Sequence, residues 1–373
     1  MKTFLAIVTL LALAAAPALP QGSASIPGTE RYLMKSTTNG IEYQIDIALP
    51  AGYATSTERY GVFYLLDGNL AFGTAVDTYR TMRIDASLPP LILVAVGYPE
   101  SDAAIYTPAY HAHRSRDYTP TNVETALPGS GGARAFLSYL EDELIPLIDR
   151  RYRTDPTDRG LGGHSLGGLF TTYALLTEPT RFRRYWIGSP SLWWNSEAIF
   201  ADLAPRRARP DQPTGRAFLT VGGLETSIMV PPMRRMATRL AASFPTLQVG
   251  SIVYPDETHM SVIGGSLSRA FRFLYARPTV PITLADAASY AGRWTAEAGE
   301  TVTVTARGAK LTFTMTTFGA AVVIDLLAEK RDQLFGTNFS MDIAAERNPA
   351  GRVIRLRRNF MGAETIFERA AGR

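Results

Sequence analysis

Leu161-Gly162-Gly163-His164-Ser165-Leu166-Gly167-Gly168-Leu169 is the stretch on which the fold turns. A short strand is expected over 159–163 and a helix over 166–176. The motif between them is Gly-x-Ser-x-Gly. Glycines on both sides of Ser165 permit the sharp strand-to-helix turn that lifts a serine hydroxyl clear of a sheet edge, the geometry of a nucleophile elbow. The helix N-terminus beneath it favours negative charge developing there. The competing reading is a glycine-rich turn packed tightly for steric reasons alone. A strand before and a helix after favour the chemical one.

A serine hydroxyl attacks poorly without a neighbouring base. The chain has only four histidines, His111, His113, His164 and His259. In elbow-type hydrolases the acid and then the histidine follow the serine along the chain. His259 is the one histidine downstream of Ser165, and it follows the expected strand 249–254. That puts it on a loop at a strand's carboxyl end, where ligand-facing residues collect. His164 adjoins the serine and is expected to pack beside the turn. His111-Ala112-His113 is a weak metal pattern, and no metal or cofactor is expected. Two carboxylates compete for the acid. Glu225 follows the strand 218–221 and sits between Ser165 and His259. Asp256 lies three residues before His259 and fits a turn aspartate capping its own loop. The order of the residues favours Glu225, which would orient the imidazole and stabilise its charged form.

An oxyanion needs two backbone donors. One is the amide of Leu166, directly after the serine. The second is expected from Asp67-Gly68-Asn69, after the apolar run 60–66, at the amide of Asn69. For the substrate, Trp193 and Trp194 could floor a pocket or belong to the core. Arg116, beside Tyr118, could bind an acidic group bidentately or merely pair with Asp117.

Working outward, Thr38-Asn39-Gly40 between two alternating runs marks a hairpin. The continuous apolar runs 60–66 and 91–96 fit strands buried on both faces of a parallel sheet. Residues 100–132, rich in Tyr, Pro, Thr and Gly, suggest a long loop. Apolar spacing predicts a helix over 133–151, and further helices over 232–243 and 262–275. Alternating strands and helices give an α/β chain with a mostly parallel sheet flanked by helices. After Arg277-Pro278-Thr279-Val280-Pro281 the period becomes strand-like, and a small all-β unit, a meander or partly closed barrel, is expected. The expected division is a signal peptide at 1–24, an α/β-hydrolase catalytic domain at 25–278 and an accessory β domain at 283–373. No catalytic candidate falls in the last. It is expected to shape or cover the substrate entrance, or to mediate self-association.

The N-terminus carries Lys2, an apolar run over 4–16 and the small-x-small pattern Ala16-Pro17-Ala18. This is a secretory signal with cleavage after Ala18, too short to span a bilayer. The chain is therefore expected to be periplasmic or secreted, without stable membrane insertion. It has no cysteine, which excludes disulfides, thiolate catalysis and zinc-thiolate sites. Its net charge is +4, with acids and bases interspersed and no basic stripe interleaved with aromatics, which argues against nucleic acid as a partner.

In combination, Tyr64 to Asn69, Arg116-Asp117-Tyr118-Thr119-Pro120, Gly162 to Phe170, Ser189 to Trp194, Val221 to Glu225 and Thr258-His259-Met260-Ser261 resemble the Putative esterase family of α/β-hydrolases. That family includes esterase D, feruloyl and acetylxylan esterases, mycolyltransferases and enterobactin-type siderophore esterases, and the last branch is the most similar. The resemblance spans roughly residues 30–275. It implies Ser165, Glu225 and His259 as a triad and Asn69 with Leu166 as oxyanion donors. The β unit after Pro281 departs from the simplest members. Three functions follow from these residues: a serine esterase acting on siderophore-type small-molecule esters, an esterase for acylated sugars or phenolic esters, or a binding protein on a hydrolase fold that has lost its chemistry.

Overall fold

The computed structural model describes residues 25–84, 88–99, 107–123, 125, 128–317, 319–337, 340–360 and 363–370. The expected signal peptide lies outside them.

The first unit is an eight-stranded sheet. In chain order it contains β1 (Thr29–Lys35), β2 (Glu42–Ala48), β3 (Tyr60–Leu66), α1 (Gly68–Ile84), β4 (Leu91–Gly97), α2 (Pro108–Tyr118), α3 (Ala133–Tyr139), α4 (Ile145–Arg151), β5 (Thr154–His164) and α5 (Leu166–Thr177). These are followed by β6 (Arg184–Gly188), a short turn α6 (Trp194–Glu197), α7 (Leu203–Arg207), β7 (Gly215–Gly222), α8 (Val230–Ser243), β8 (Leu247–Tyr254) and α9 (Val262–Leu274). The strand order is β1-β2-β4-β3-β5-β6-β7-β8. From β4 to β8 all neighbours are parallel, while β1–β2 and β2–β4 are antiparallel. This is the α/β-hydrolase fold. β3 and β4 are buried along their whole length, as strands covered on both faces by helices must be. One apolar cluster fills the face under α3, α5 and α8, and another lies under α1 and α9.

Three expectations are corrected. The polar stretch 100–132 contains α2, capped by the Thr107 hydroxyl, with Pro108 in its first turn. A helix with so few apolar residues gives no periodic signal, but its cap and proline form a start signal. The single helix over 133–151 is three segments, α3 and α4 being separated by a π-helical stretch Leu140–Leu144. Asn69 is not in an open loop but in the first turn of α1.

The second unit is a barrel of eight antiparallel strands: β9 (Gly292–Ala296), β10 (Thr301–Arg307), β11 (Lys310–Thr317), β12 (Ala320–Lys330), β13 (Gln333–Gly336), β14 (Met341–Arg347), β15 (Val353–Phe360) and β16 (Ala363–Arg369). It is closed by pairing of β16 with β9. The alternation in β10 and β11 places Val302, Val304, Leu311, Phe313 and Met315 inside. A helix, α10 (Leu284–Tyr290), precedes the barrel and packs into its core through Ala287 and Tyr290, an element not expected from the sequence. The chain reaches the barrel from the amino-terminal end of the parallel strands. There Arg184 and Arg216, at the starts of β6 and β7, donate to the carbonyls of Phe273, Leu274 and Ala276. Arg277 then pairs with Glu329 and Asp342 of the barrel and stacks on Phe335. This junction is at the end of the sheet opposite the serine turn.

Candidate active site

The carboxyl ends of β3, β5, β6, β7 and β8 converge, and each delivers one part of the site. Ser165, after β5, has φ 62° and ψ −118°, the left-handed strain of an elbow. Gly163 is required there: a Cβ would lie 2.6 Å from the carbonyl carbon of Gly167. Backbone bonds lock the turn, Ser165 N–H to the Gly188 carbonyl at 2.9 Å and Ser191 N–H to the Ser165 carbonyl at 3.0 Å.

The turns after β7 and β8 are joined by their own backbones. Gly223 N–H donates to the Tyr254 carbonyl and Leu224 N–H to the Glu257 carbonyl, at 2.6 and 3.0 Å. Gly222 lets them approach, since a Cβ would lie 2.4 Å from the Glu257 carbonyl oxygen. The result is a 2.7 Å contact between His259 Nδ1 and Glu225 Oε2. The other oxygen of Glu225 accepts from Ser189 Oγ at 2.6 Å and Gly222 N–H at 2.8 Å. Burial by itself would raise this carboxyl's pKa, but the hydrogen bonds from His259, Ser189 and Gly222 outweigh it and hold it below the usual glutamate value. Asp256 is exposed on the loop before His259, and the imidazole takes its carboxylate partner from Glu225.

Ser165, His259 and Glu225 line one pocket of about 350 Å³ together with Ser191, Trp193 and Met229. Ser165 Oγ lies 3.3 Å from Ser191 Oγ. His164 is buried with its ring 4.5 Å from that of His259. Burial, then the neighbouring His259 and Arg114, depress its pKa far below the usual histidine value, so it stays neutral.

The remaining site residues fall as follows. Leu166 and Asn69 open α5 and α1, so their amides belong to the first turns that helices leave without internal partners. The Asn69 side chain is fixed by a two-way bond with the Tyr98 backbone, at 2.8 and 2.9 Å. Asp67 beside it has φ 56° and is held by Arg114, Nε to Oδ1 at 2.6 Å and Nη2 to Oδ2 at 2.9 Å. Burial would lower the Arg114 pKa, but the charge and bonds of Asp67 raise it above the usual arginine value. Arg114 Nη2 also reaches the His164 carbonyl at 3.3 Å, so one guanidinium ties the Asn69 turn to the serine turn.

Three substrate candidates do not face the pocket. Tyr118 is buried, its hydroxyl accepting from Asp67 N–H at 3.2 Å. Arg116 is bound bidentately to Asp117 at 2.8 Å. Trp194 is buried and donates to Thr121, leaving Trp193 alone in the lining. Sequence reasoning missed Ser189, Ser191, Arg114 and Asp67 as site residues. Ser189 and Ser191 follow the expected strand 185–188, whose carboxyl end adjoins the elbow, and this position was their signal. Among the described residues no cluster of His, Asp and Glu could hold a metal.

The family profile described as Putative esterase matches residues 36–267. The chain is 32% identical over 274 residues to the ferri-bacillibactin esterase BesA of Bacillus subtilis, a match covering 67% of this chain and 90% of that one. It is 34% identical over 276 residues to the siderophore enterobactin esterase of Emericella nidulans, covering 62% and 89%. The crystal structure of the BES protein from Bacillus cereus superposes with a TM-score of 0.61 at 31% identity, covering 69% of this chain and 99% of that one. The chain belongs to the Putative esterase family and is a serine ester hydrolase.

Proposed function

We propose that the chain hydrolyses siderophore-type carboxylic esters through a Ser165-His259-Glu225 triad. The observation that carries the reading is the 2.7 Å bond between Glu225 and His259 in the lining of the pocket that holds Ser165. In this mechanism the Ser165 hydroxyl exchanges Ser191 for Nε2 of His259, which takes its proton as the oxygen attacks the ester carbonyl. The amides of Leu166 and Asn69 receive the oxyanion. His259 then returns the proton to the leaving alcohol, and water releases the acyl group from Ser165 by the same steps in reverse order. Glu225 keeps the imidazole in the tautomer with Nδ1 protonated and balances its positive charge. The named activities of the bacillibactin and enterobactin esterases, together with their coverage of the α/β unit, support the substrate class.

Residues 25–278 carry this chemistry, residues 283–373 form an accessory unit, and export follows cleavage after Ala18. Among the described residues no helix is long and apolar enough to cross a membrane.

Ser165→Ala tests the reading. It should abolish p-nitrophenyl acetate hydrolysis and fluorophosphonate labelling while the protein stays folded, with a loss on the order of 10⁶ in turnover. Near-normal turnover in a folded variant would sink the assignment.

A further inference from the structure

Three of the eight residues lining the pocket, Trp193, Leu224 and Met229, are large and apolar, beside Ser165, Ser191, Glu225, Thr226 and His259. Four large apolar side chains stand exposed on the turns that carry Ser191, Glu225 and His259: Trp193, Leu224, Ile228 and Met260. Leu224 is 64% exposed and Met260 49%. Single exposed apolar residues are ordinary, but several around one concavity mark a binding surface. Of these, Trp193 and Leu224, together with the buried Met229, border Ser165 and His259 in a volume of about 350 Å³. That is the small end of the range for ligand pockets, room for about one aromatic ring or one branched chain.

Charge points the same way. Glu225 is the charged residue in the lining, and both its oxygens are taken by His259, Ser189 and Gly222. Asp256 and Glu257, both acidic, precede His259 on its loop. The guanidiniums of α2 are committed elsewhere, Arg114 to Asp67 and Arg116 to Asp117. A carboxylate entering this pocket would lose water against Trp193 and Met229 and find no cation in the lining. Burying a charge unpaired is strongly unfavourable.

We infer that this pocket takes an uncharged, apolar part of the ester, about one ring or one short branched chain, and rejects an anionic group of the same shape. The inference rests on Ser165 as nucleophile and names the class of group its pocket selects.

The test uses the full chain and two isosteric pairs, each differing by an isopropyl group against a carboxylate. In the acyl part, p-nitrophenyl 4-methylpentanoate is compared with p-nitrophenyl hemisuccinate. In the alcohol part, the acetate of 4-isopropylphenol is compared with that of 4-hydroxybenzoate. Each kcat/KM is divided by the ester's rate of hydroxide-catalysed hydrolysis, which removes intrinsic reactivity. The isopropyl ester should lead by at least about tenfold in one pair, the scale on which pockets discriminate small apolar groups. Leu224→Arg places a cation on the rim at an exposed position and should narrow that ratio severalfold. Trp193→Ala should narrow it by removing apolar wall. Equal normalised rates in both pairs, or a ratio unmoved by both variants, would overturn the inference. Turnover of p-nitrophenyl acetate that survives Ser165→Ala would instead overturn the reading beneath it, so the two failures are distinguishable.

Discussion

The division of labour between Glu225 and Asp256 can be separated by substitution. Glu225→Ala should reduce kcat by about 10⁴, less than loss of Ser165 or His259, because the orienting acid costs less than the base or nucleophile. Asp256→Ala should change it little. The reverse ranking would hand the role to Asp256. The pH dependence follows from the depressed pKa of Glu225. A lowered carboxyl stays ionised below its ordinary value of about 4.3. Protonation of Glu225 therefore cannot account for a loss of rate between neutrality and about pH 5. Arg114 is a positioning residue on the same scale. Arg114→Met strands the buried Asp67 carboxylate and should cost about 3–5 kcal/mol in unfolding free energy, with lower turnover. Adding Asp67→Asn should recover part of the stability, because no lone charge remains. If the double variant is no better than the single, the pair is not the source of the loss. The meeting of Ser165 and His259 in one pocket was legible in the sequence because chemistry and order leave almost no choice among four histidines. Arg114, Ser189 and Ser191 were not, because their roles come from strand ends and a helix meeting in space. For Arg116 the sequence offered two readings, and the structure has the second, pairing with the adjacent Asp117, while the Tyr118 hydroxyl meets Asp67, far away in sequence.

Between elements, one carboxylate carries a long-range join. Glu143, on the π-helical stretch, accepts from Ser36 Oγ at 2.8 Å, Thr37 N–H at 2.9 Å and Thr38 N–H at 2.7 Å, pinning the turn between β1 and β2. Burial would raise its pKa, but the bonds from Thr38, Thr37 and Ser36 outweigh that and lower it to about 2. The sign follows from linkage. A carboxyl whose folded pKa lies below its unfolded value of about 4.3 contributes stability above that value and loses it as pH falls through the folded pKa. Glu143→Gln should therefore lower stability by about 1 kcal/mol at pH 7, with solvent screening keeping the effect modest. The difference should vanish as pH approaches about 2. A constant difference across chemical denaturation from pH 7 to 2 would show that the charge is not responsible. The hairpin itself was legible from Asn39-Gly40 and its flanking alternation, and Gly40 does adopt φ 73°. α9, with a full apolar stripe, was legible to within a residue of its ends. α2 was not, because its burial rests on Tyr110, Ser115, Asp117 and Tyr118 and leaves no apolar repeat.

For the whole molecule, the question is whether the barrel belongs to the chemistry. Its interior is filled by Trp294, Phe313, Ile324 and Phe367, as an eight-stranded barrel's interior can be, and its sheet has no free edge. Strand alternation made an all-β unit legible, whereas closure depends on β16 meeting β9 across the whole unit and has no local signature. The junction carries Pro278 and Pro281, a bridge from Val280 to Ala328, and the ion pairs of Arg277 with Glu329 and Asp342. All of it lies at the amino ends of the parallel strands, while Ser165, Glu225 and His259 sit beyond their carboxyl ends. Perturbations that share no partners act nearly independently, within about 0.5 kcal/mol. A chain ending at Arg277 should thus hydrolyse p-nitrophenyl acetate within about twofold of the full chain, that energy expressed as a rate. Its soluble fraction should label at Ser165 with a fluorophosphonate at an equal rate. Removing the barrel leaves Arg277 without its two carboxylates and uncovers whatever surface the barrel rests on, so aggregation is the expected side effect and labelling is read on soluble, folded protein. A folded truncated chain that no longer labels would mean that the barrel, from the far end of the sheet, still holds the site together.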